Sequence, residues 1–183
     1  MAQKATIFKA ELNIADMNRN YFADHSLTIA RHPSETDERM MVRVLAFALQ
    51  AHAQLQFTRG LSADDEADIW KKDLTGALEV WVDVGLPDEK RVRKACHRAR
   101  AVFIYAYGGR GAALWWQQNA MQFARFDNLT IVNLAKEETD ALAALAERTM
   151  QLQCTVQDDQ VWLSAGEHTI QIHYEYWQRA QNV

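Results

Sequence analysis

The stretch from Leu78 to Tyr107 limits the possible fold more than any other. Leu78, Val80, Val82 and Val84 alternate with Glu79, Trp81 and Asp83, the period-two pattern of a strand. Gly85 turns the chain, and Pro87 opens a helix running to about Arg100; proline suits a first helical turn, where its missing N–H has no intrahelical partner to lose. Asp88 and Glu89 complement the positive end of the helix dipole, and Arg98 and Arg100 the negative end. Val92, Ala95, Cys96 and Ala99 form one apolar stripe. Ala101 to Tyr107 is then apolar without alternation, as expected of a central strand covered on both faces. Strand, helix and strand within about 30 residues predict a βαβ unit with parallel strands.

The remaining segments fit around that unit. Thr6 to Ile14 and Leu27 to Ala30 read as strands, joined through turn residues at Asp16 to Asn20. Ser34 is a candidate N-cap for a helix reaching about Leu55, with Met41, Leu45, Ala48 and His52 on its inner stripe. Gln56 to Gly60 reads as a strand stub or turn, and Asp64 to Asp73 as a solvated acidic loop with a helical turn around Trp70. Leu129 to Leu134 is a strand and Glu137 to Met150 a helix. Leu152 to Val156, Val161 to Ser164 and His168 to Tyr176 close the chain as an antiparallel meander, turning at Gln157 to Gln160. With no linker or repeat, the expectation is an α/β (α+β) fold: one domain over residues 1–183, a central mixed sheet flanked by helices.

Composition narrows the function classes. A net charge of −4 gives no global attraction to nucleic acid, so such binding needs a local basic patch. Cys96 and Cys154 sit in unrelated segments, which predicts free thiols in a reducing compartment. No apolar run is long enough for a signal peptide or a bilayer span. The expectation is a cytoplasmic protein without membrane contact.

Chemistry concentrates around the opening unit. Lys90, Arg91, Arg93, Lys94, His97 and Arg98 form the chain's concentrated basic surface, either a solvated helix face or a phosphate-binding one. Asp83 ends its strand where ligand sites of open α/β sheets lie. Glu79 stands roughly 13 Å from it along the strand and cannot share a metal ion with it. Glu38 occupies the end of the first helix's core stripe, as a dipole partner or as a site acid. The acids of Asp64 to Asp68 repel one another, and a cation or arginines would relieve them. Gly108 to Gly111 reads as a tight turn, since it lacks both the third glycine of a dinucleotide fingerprint and the lysine of a P-loop. His25, His32, His52 and His97 have no sequence partner, and His168 and His173 fall on opposite strand faces. Zinc-enzyme and serine-hydrolase motifs are absent.

Four segments carry a resemblance: Ala30-Arg-His-Pro-Ser-Glu-Thr-x-Glu38-Arg-Met40, Phe57-Thr-Arg-Gly60, Asp64-Asp-Glu66 and Trp81-Val-Asp83-Val-Gly85-x-Pro-Asp88. The chain resembles the YaeQ family of bacterial proteins, and the likeness continues to the C-terminal region. That resemblance implies a variant of the PD-(D/E)XK nuclease fold, in which three acids bind Mg²⁺. By position these look like Glu38, Asp68 and Asp83. A hard cation held by carboxylates would polarise a phosphate oxygen and activate water. Two positions depart from the motif: Ala67 stands in place of proline, and Gly85 in place of the catalytic lysine. Lys94 or Lys90, with Lys71 and Lys72 behind them, would have to complete a catalytic set around Asp83. Nucleic-acid contacts would fall to Lys90, Arg91, Arg93 and Lys94. The expected function is Mg²⁺-dependent, nuclease-like nucleic-acid processing; the alternative is a non-catalytic nucleic-acid-binding or regulatory module on a degenerate nuclease fold.

Overall fold

The computed structural model describes residues 3–59 and 64–181; Gly60, the end of the predicted stub, lies outside them. In chain order the elements are β1 (Thr6–Asp16), β2 (Tyr21–Arg31), α1 (Asp37–Leu49), β3 (Leu55–Phe57), β4 (Ile69–Lys72), β5 (Leu78–Val84), α2 (Glu89–Arg98), β6 (Ala99–Ala106), α3 (Arg110–Phe123), β7 (Leu129–Leu134), α4 (Lys136–Ala144), β8 (Thr149–Gln157), β9 (Gln160–Ala165) and β10 (His168–Gln178). The fold is α+β, with mixed strand pairing and four helices among the described residues. The chain divides into two compact units, Met1–Ala51 with Glu137–Tyr174 and His52–Lys136 with Glu175–Val183.

In the first unit the strands run in the order β2-β1-β8-β9-β10. β1 lies parallel to β8, with Leu12 opposite Leu152, and the other neighbours pair antiparallel. Phe8, Ala10, Leu12 and Ile14 alternate into the core beside Met150, Leu152, Cys154 and Val156, the period-two burial expected of strands with one covered face. α1 starts later and ends earlier than its hydrophobic stripe predicts. Thr36, not Ser34, is its N-cap, accepting from the Arg39 N–H, and His52 lies exposed beyond its end. Met40 to Ala48 are buried on all sides of α1, Arg43 included. Arg43 survives there because its guanidinium donates to both oxygens of buried Glu35, each at 2.7 Å, and to the Ala30 carbonyl. The predicted helix to Met150 stops at Ala144, and Thr149 and Met150 open β8 instead.

The second unit contains the predicted βαβ element. β5 and β6 are parallel neighbours, β7 extends them in parallel, and β4 and β3 add antiparallel on the far side of β5. Its core gathers Trp81, Val92, Ala95, Ile104, Trp115, Phe123 and Ile131. α2 is shorter than predicted: Pro87 precedes it, and the Asp88 side chain caps it by accepting from the Arg91 N–H at 2.8 Å. The acidic stretch holds no helical turn at Trp70; Ile69 to Lys72 form β4. Ile69 points into the core, and the Trp70 ring lies edge-on to Trp81 with the Lys72 ammonium 4.1 Å above it. Between β6 and α3, Gly108 and Gly109 adopt φ values of 117° and 62°, a left-handed stretch that favours glycine. Among the described residues, no helix is long and apolar enough to cross a membrane.

Candidate functional site

The antiparallel pairing of β4 and β5 sets Ile69 opposite Val82 and so delivers Asp68 to Asp83. The two carboxylates are 3% and 2% exposed and clasp each other's strands. The Asp68 N–H donates to Asp83 Oδ1 at 3.1 Å, and the Val84 N–H donates to Asp68 Oδ2 at 2.9 Å. Arg91, one turn into α2, closes the arrangement. It donates from Nε to Asp83 Oδ2 at 2.8 Å and from Nη2 to Asp83 Oδ1 at 2.9 Å, while Nη2 also reaches the Glu66 carbonyl at 2.8 Å. Such a planar fork on a carboxylate is the strong, oriented form of an ion pair. Burial nevertheless pushes the Asp83 carboxyl above the usual carboxylate range; the Arg91 fork works against that rise, and the charge of Asp68 adds to it.

The cations of α2 fall on two flanks. Arg91, Lys94 and Arg98 recur at i, i+3 and i+7, one side of a helix. All three face the acidic loop: Lys94 pairs with Asp65, Arg98 donates to the Asp65 carbonyl at 2.7 Å, and Arg91 holds Asp83. The Lys94 ammonium keeps the Asp65 carboxyl below its usual range. Arg93 and His97 form the other flank; both are exposed, as is Lys90, which borders the Arg91 side. Arg93 approaches Glu89 at 3.5 Å, and Lys90 has no carboxylate partner among the described residues. Of the other lysines considered, Lys71 pairs with Glu79 at 2.7 Å and Lys72 covers Trp70. Glu38 belongs to the first unit, where the Thr139 hydroxyl donates to it at 2.8 Å. Of the predicted acids, Asp68 and Asp83 are therefore direct neighbours within one unit.

Residues 1–174 match the family model described as YaeQ protein. The chain belongs to the YaeQ family. The uncharacterized YaeQ protein of Escherichia coli (strain K12) is 48% identical over 179 residues, covering 98% of this chain and 99% of that protein. The YaeQ protein from Xanthomonas axonopodis pv. citri, solved by crystallography, is 48% identical and superposes with a TM-score of 0.93, covering 95% of this chain and 98% of that one. The YaeQ crystal structure from Pseudomonas syringae, 30% identical, gives a TM-score of 0.92 over 97% of this chain and 98% of that one. The fold is thus shared across YaeQ chains that differ at more than half of their positions.

The implied Mg²⁺ can be judged against the donors present. Both oxygens of Asp83 already accept from Arg91, and one guanidinium is the charge equivalent of half a divalent ion. Among the described residues, no three or more His, Cys, Asp or Glu side chains are grouped so that they could hold a metal. Mg²⁺ can be held by one or two carboxylates with water completing its shell, but with both Asp83 oxygens taken by Arg91 the pair Asp68 and Asp83 does not fit one in this arrangement. The role of Arg91 was missed in the sequence because it sits in a run of cations and no local feature separates it from Lys90. The spacing of 91, 94 and 98 was the available signal, since it assigns those residues to one flank.

Proposed function

We propose that this YaeQ chain is a non-catalytic nucleic-acid-binding module on a degenerate PD-(D/E)XK-like frame, acting in the cytoplasm, with an arginine standing where the nuclease family places a metal. The observation that carries this reading is the Arg91 fork on Asp83. It neutralises the strand acid, ties it to the Glu66 backbone, and leaves Lys90 and Arg93 among the exposed α2 cations. Gly85 in the place of the motif lysine agrees with it, since water activation loses its cation there. The test is fluorescence anisotropy with labelled DNA and RNA over a salt series, run beside a cleavage assay in Mg²⁺ or Mn²⁺. The expected result is binding that weakens steeply with salt, with a slope of about −0.7 per neutralised phosphate on single strands, and intact polynucleotide after incubation. Metal-dependent cleavage that disappears in Asp83→Ala would sink this reading.

A second reading is Mg²⁺-dependent nucleic-acid processing in a state where Arg91 has withdrawn. Two neighbouring buried carboxylates favour it, because removing the guanidinium would leave them in need of a cation. Titration of Arg91→Ala with Mn²⁺ separates the two. Heat of binding absent from the wild type supports this second reading, and a flat trace from both proteins removes it.

A further inference from the structure

The two flanks of α2 end in grooves of different charge. On the Arg91 side, Asp64, Asp65 and Asp88 meet Lys90, Arg91 and Lys94, three acids against three cations. On the other side a groove of about 460 Å³ is lined by Glu89, Arg93, His97, Gln122, Arg125 and Phe126, two arginines against one acid before His97 is counted. Both helices that form it belong to the second unit.

We propose that this α2–α3 groove is a phosphate-and-base subsite for single-stranded nucleic acid. The proposal deepens the binding-module reading and rests on it. Arg93 is 53% exposed and only 3.5 Å from Glu89, so most of its donors stay turned to solvent. Arg125 is exposed and has no carboxylate partner among the described residues. It is also not consumed in closing the end of α3: the Gln178 amide donates to the Phe123 carbonyl at 2.9 Å and lies 3.4 Å from those of Phe126 and Leu129. Two guanidiniums, one on α2 and one in the turn that follows α3, suit the bidentate capture of a phosphate. The Gln122 amide beside them can donate to a sugar or base edge. The wall beyond is aromatic, with the His97 ring edge-on to Phe126 at 6.2 Å and 84°. Phe126 is only half-buried, which leaves ring surface for a base. An unpaired base can reach such a surface, whereas a duplex keeps its faces stacked inside. Charge and ring together therefore favour a single strand over a duplex, and over an acidic peptide, which has no flat apolar group at regular spacing.

The test is anisotropy with a short fluorescein-labelled oligothymidylate, using the full chain. The proteins are wild type, the double variant Arg93→Gln with Arg125→Gln, Phe126→Leu, and Lys9→Gln in the first unit as a surface control; urea midpoints check that each remains folded. The double variant is expected to bind at least tenfold more weakly at low salt and to lose about 1.4 from the salt slope, two phosphates at roughly 0.7 each. Phe126→Leu is expected to weaken the single strand severalfold while its salt slope stays unchanged, and Lys9→Gln to match wild type. If the wild type binds and the double variant binds equally well, the groove is overturned and the module reading stands. If the wild type binds no polynucleotide, both fall. Polyglutamate or a duplex competing as well as the single strand also overturns the subsite.

Discussion

The Asp83 carboxyl carries a pH signature despite its ion pair. Because burial raises its folded-state pKa, the native state holds a proton that the unfolded chain has already released across the range between the two values. Its contribution to stability is fully present below the ordinary carboxylate pKa and is lost as pH rises through the folded value. Asp83→Asn removes that titration. The urea midpoint of the variant, measured relative to wild type, is therefore expected to shift in the variant's favour as pH rises through that range. A difference that stays constant with pH would refute the assignment. Arg91→Ala has the opposite logic, since it leaves Asp83 buried with its partner gone. Breaking a buried pair costs about 3–5 kcal/mol; Arg91 keeps 27% of its side-chain exposure, so a loss of about 3 kcal/mol by urea denaturation is expected. Arg91→Lys should recover little of it, because a point charge cannot supply two parallel donors to one carboxylate.

At the scale of elements, α2 divides its work by face, and its start depends on one side chain. Asp88→Ala removes the acceptor for the Arg91 N–H and is expected to cost about 1 kcal/mol, visible as a lower thermal midpoint. It also loosens the turn that positions the guanidinium, which opposes the rise of the Asp83 carboxyl, so the pH signature of Asp83 should grow with it. In α1, Arg43→Met leaves Glu35 buried with Arg39 still at 3.0 Å. A loss of about 3 kcal/mol is expected. These elements also mark how far sequence reading reached. The βαβ core, β1, β7 and the closing meander were legible, because alternation and unbroken apolar runs are local signals. β4 was not: only Ile69 is fully buried, and the acids before it mask a strand that exists through pairing with β5. The starts of α1 and α2 were misplaced because Ser34 and Thr36, or Pro87 and Asp88, are both reasonable openings. The hydrogen bonds that choose between them are local but depend on backbone angles the composition does not reveal.

For the whole molecule, the two cysteines offer a probe of global opening. Burial pushes the thiols of Cys96 and Cys154 up to about 12, so almost no thiolate exists in the folded state near neutral pH. Alkylation by iodoacetamide at pH 8 should be slow in buffer and fast in urea, with a rate that follows the unfolded fraction. Rapid labelling of Cys154 in the native protein would contradict its buried placement. The candidate site was legible only in part. Asp68 and Asp83 were both named and do meet, because the strand end and the acid ahead of it are fixed by β-pairing. The Arg91 fork on Asp83 was not legible: whether a guanidinium reaches the carboxylate depends on the angle at which α2 leaves its cap. Arg125 and Phe126 were invisible for a related reason, since each is isolated in sequence and gains meaning only beside Arg93 and His97.

The parallel pairing of β1 with β8 also sets a schedule for synthesis. Lys9 has Thr149 as its register partner, so the apolar row of Phe8, Leu12 and Ile14 emerges from the ribosome long before its neighbour exists. At ordinary elongation speeds the delay is on the order of 10 s, far longer than the microseconds a hairpin of β1 and β2 needs to form. During that wait β1 presents an unpaired hydrogen-bonding edge to the cell, while most of the second unit, residues 52–136, is completed as one uninterrupted stretch. A chaperone that recognises extended apolar segments would meet this chain first at its N-terminus, and truncation anywhere before residue 149 should yield aggregates instead of a smaller soluble protein.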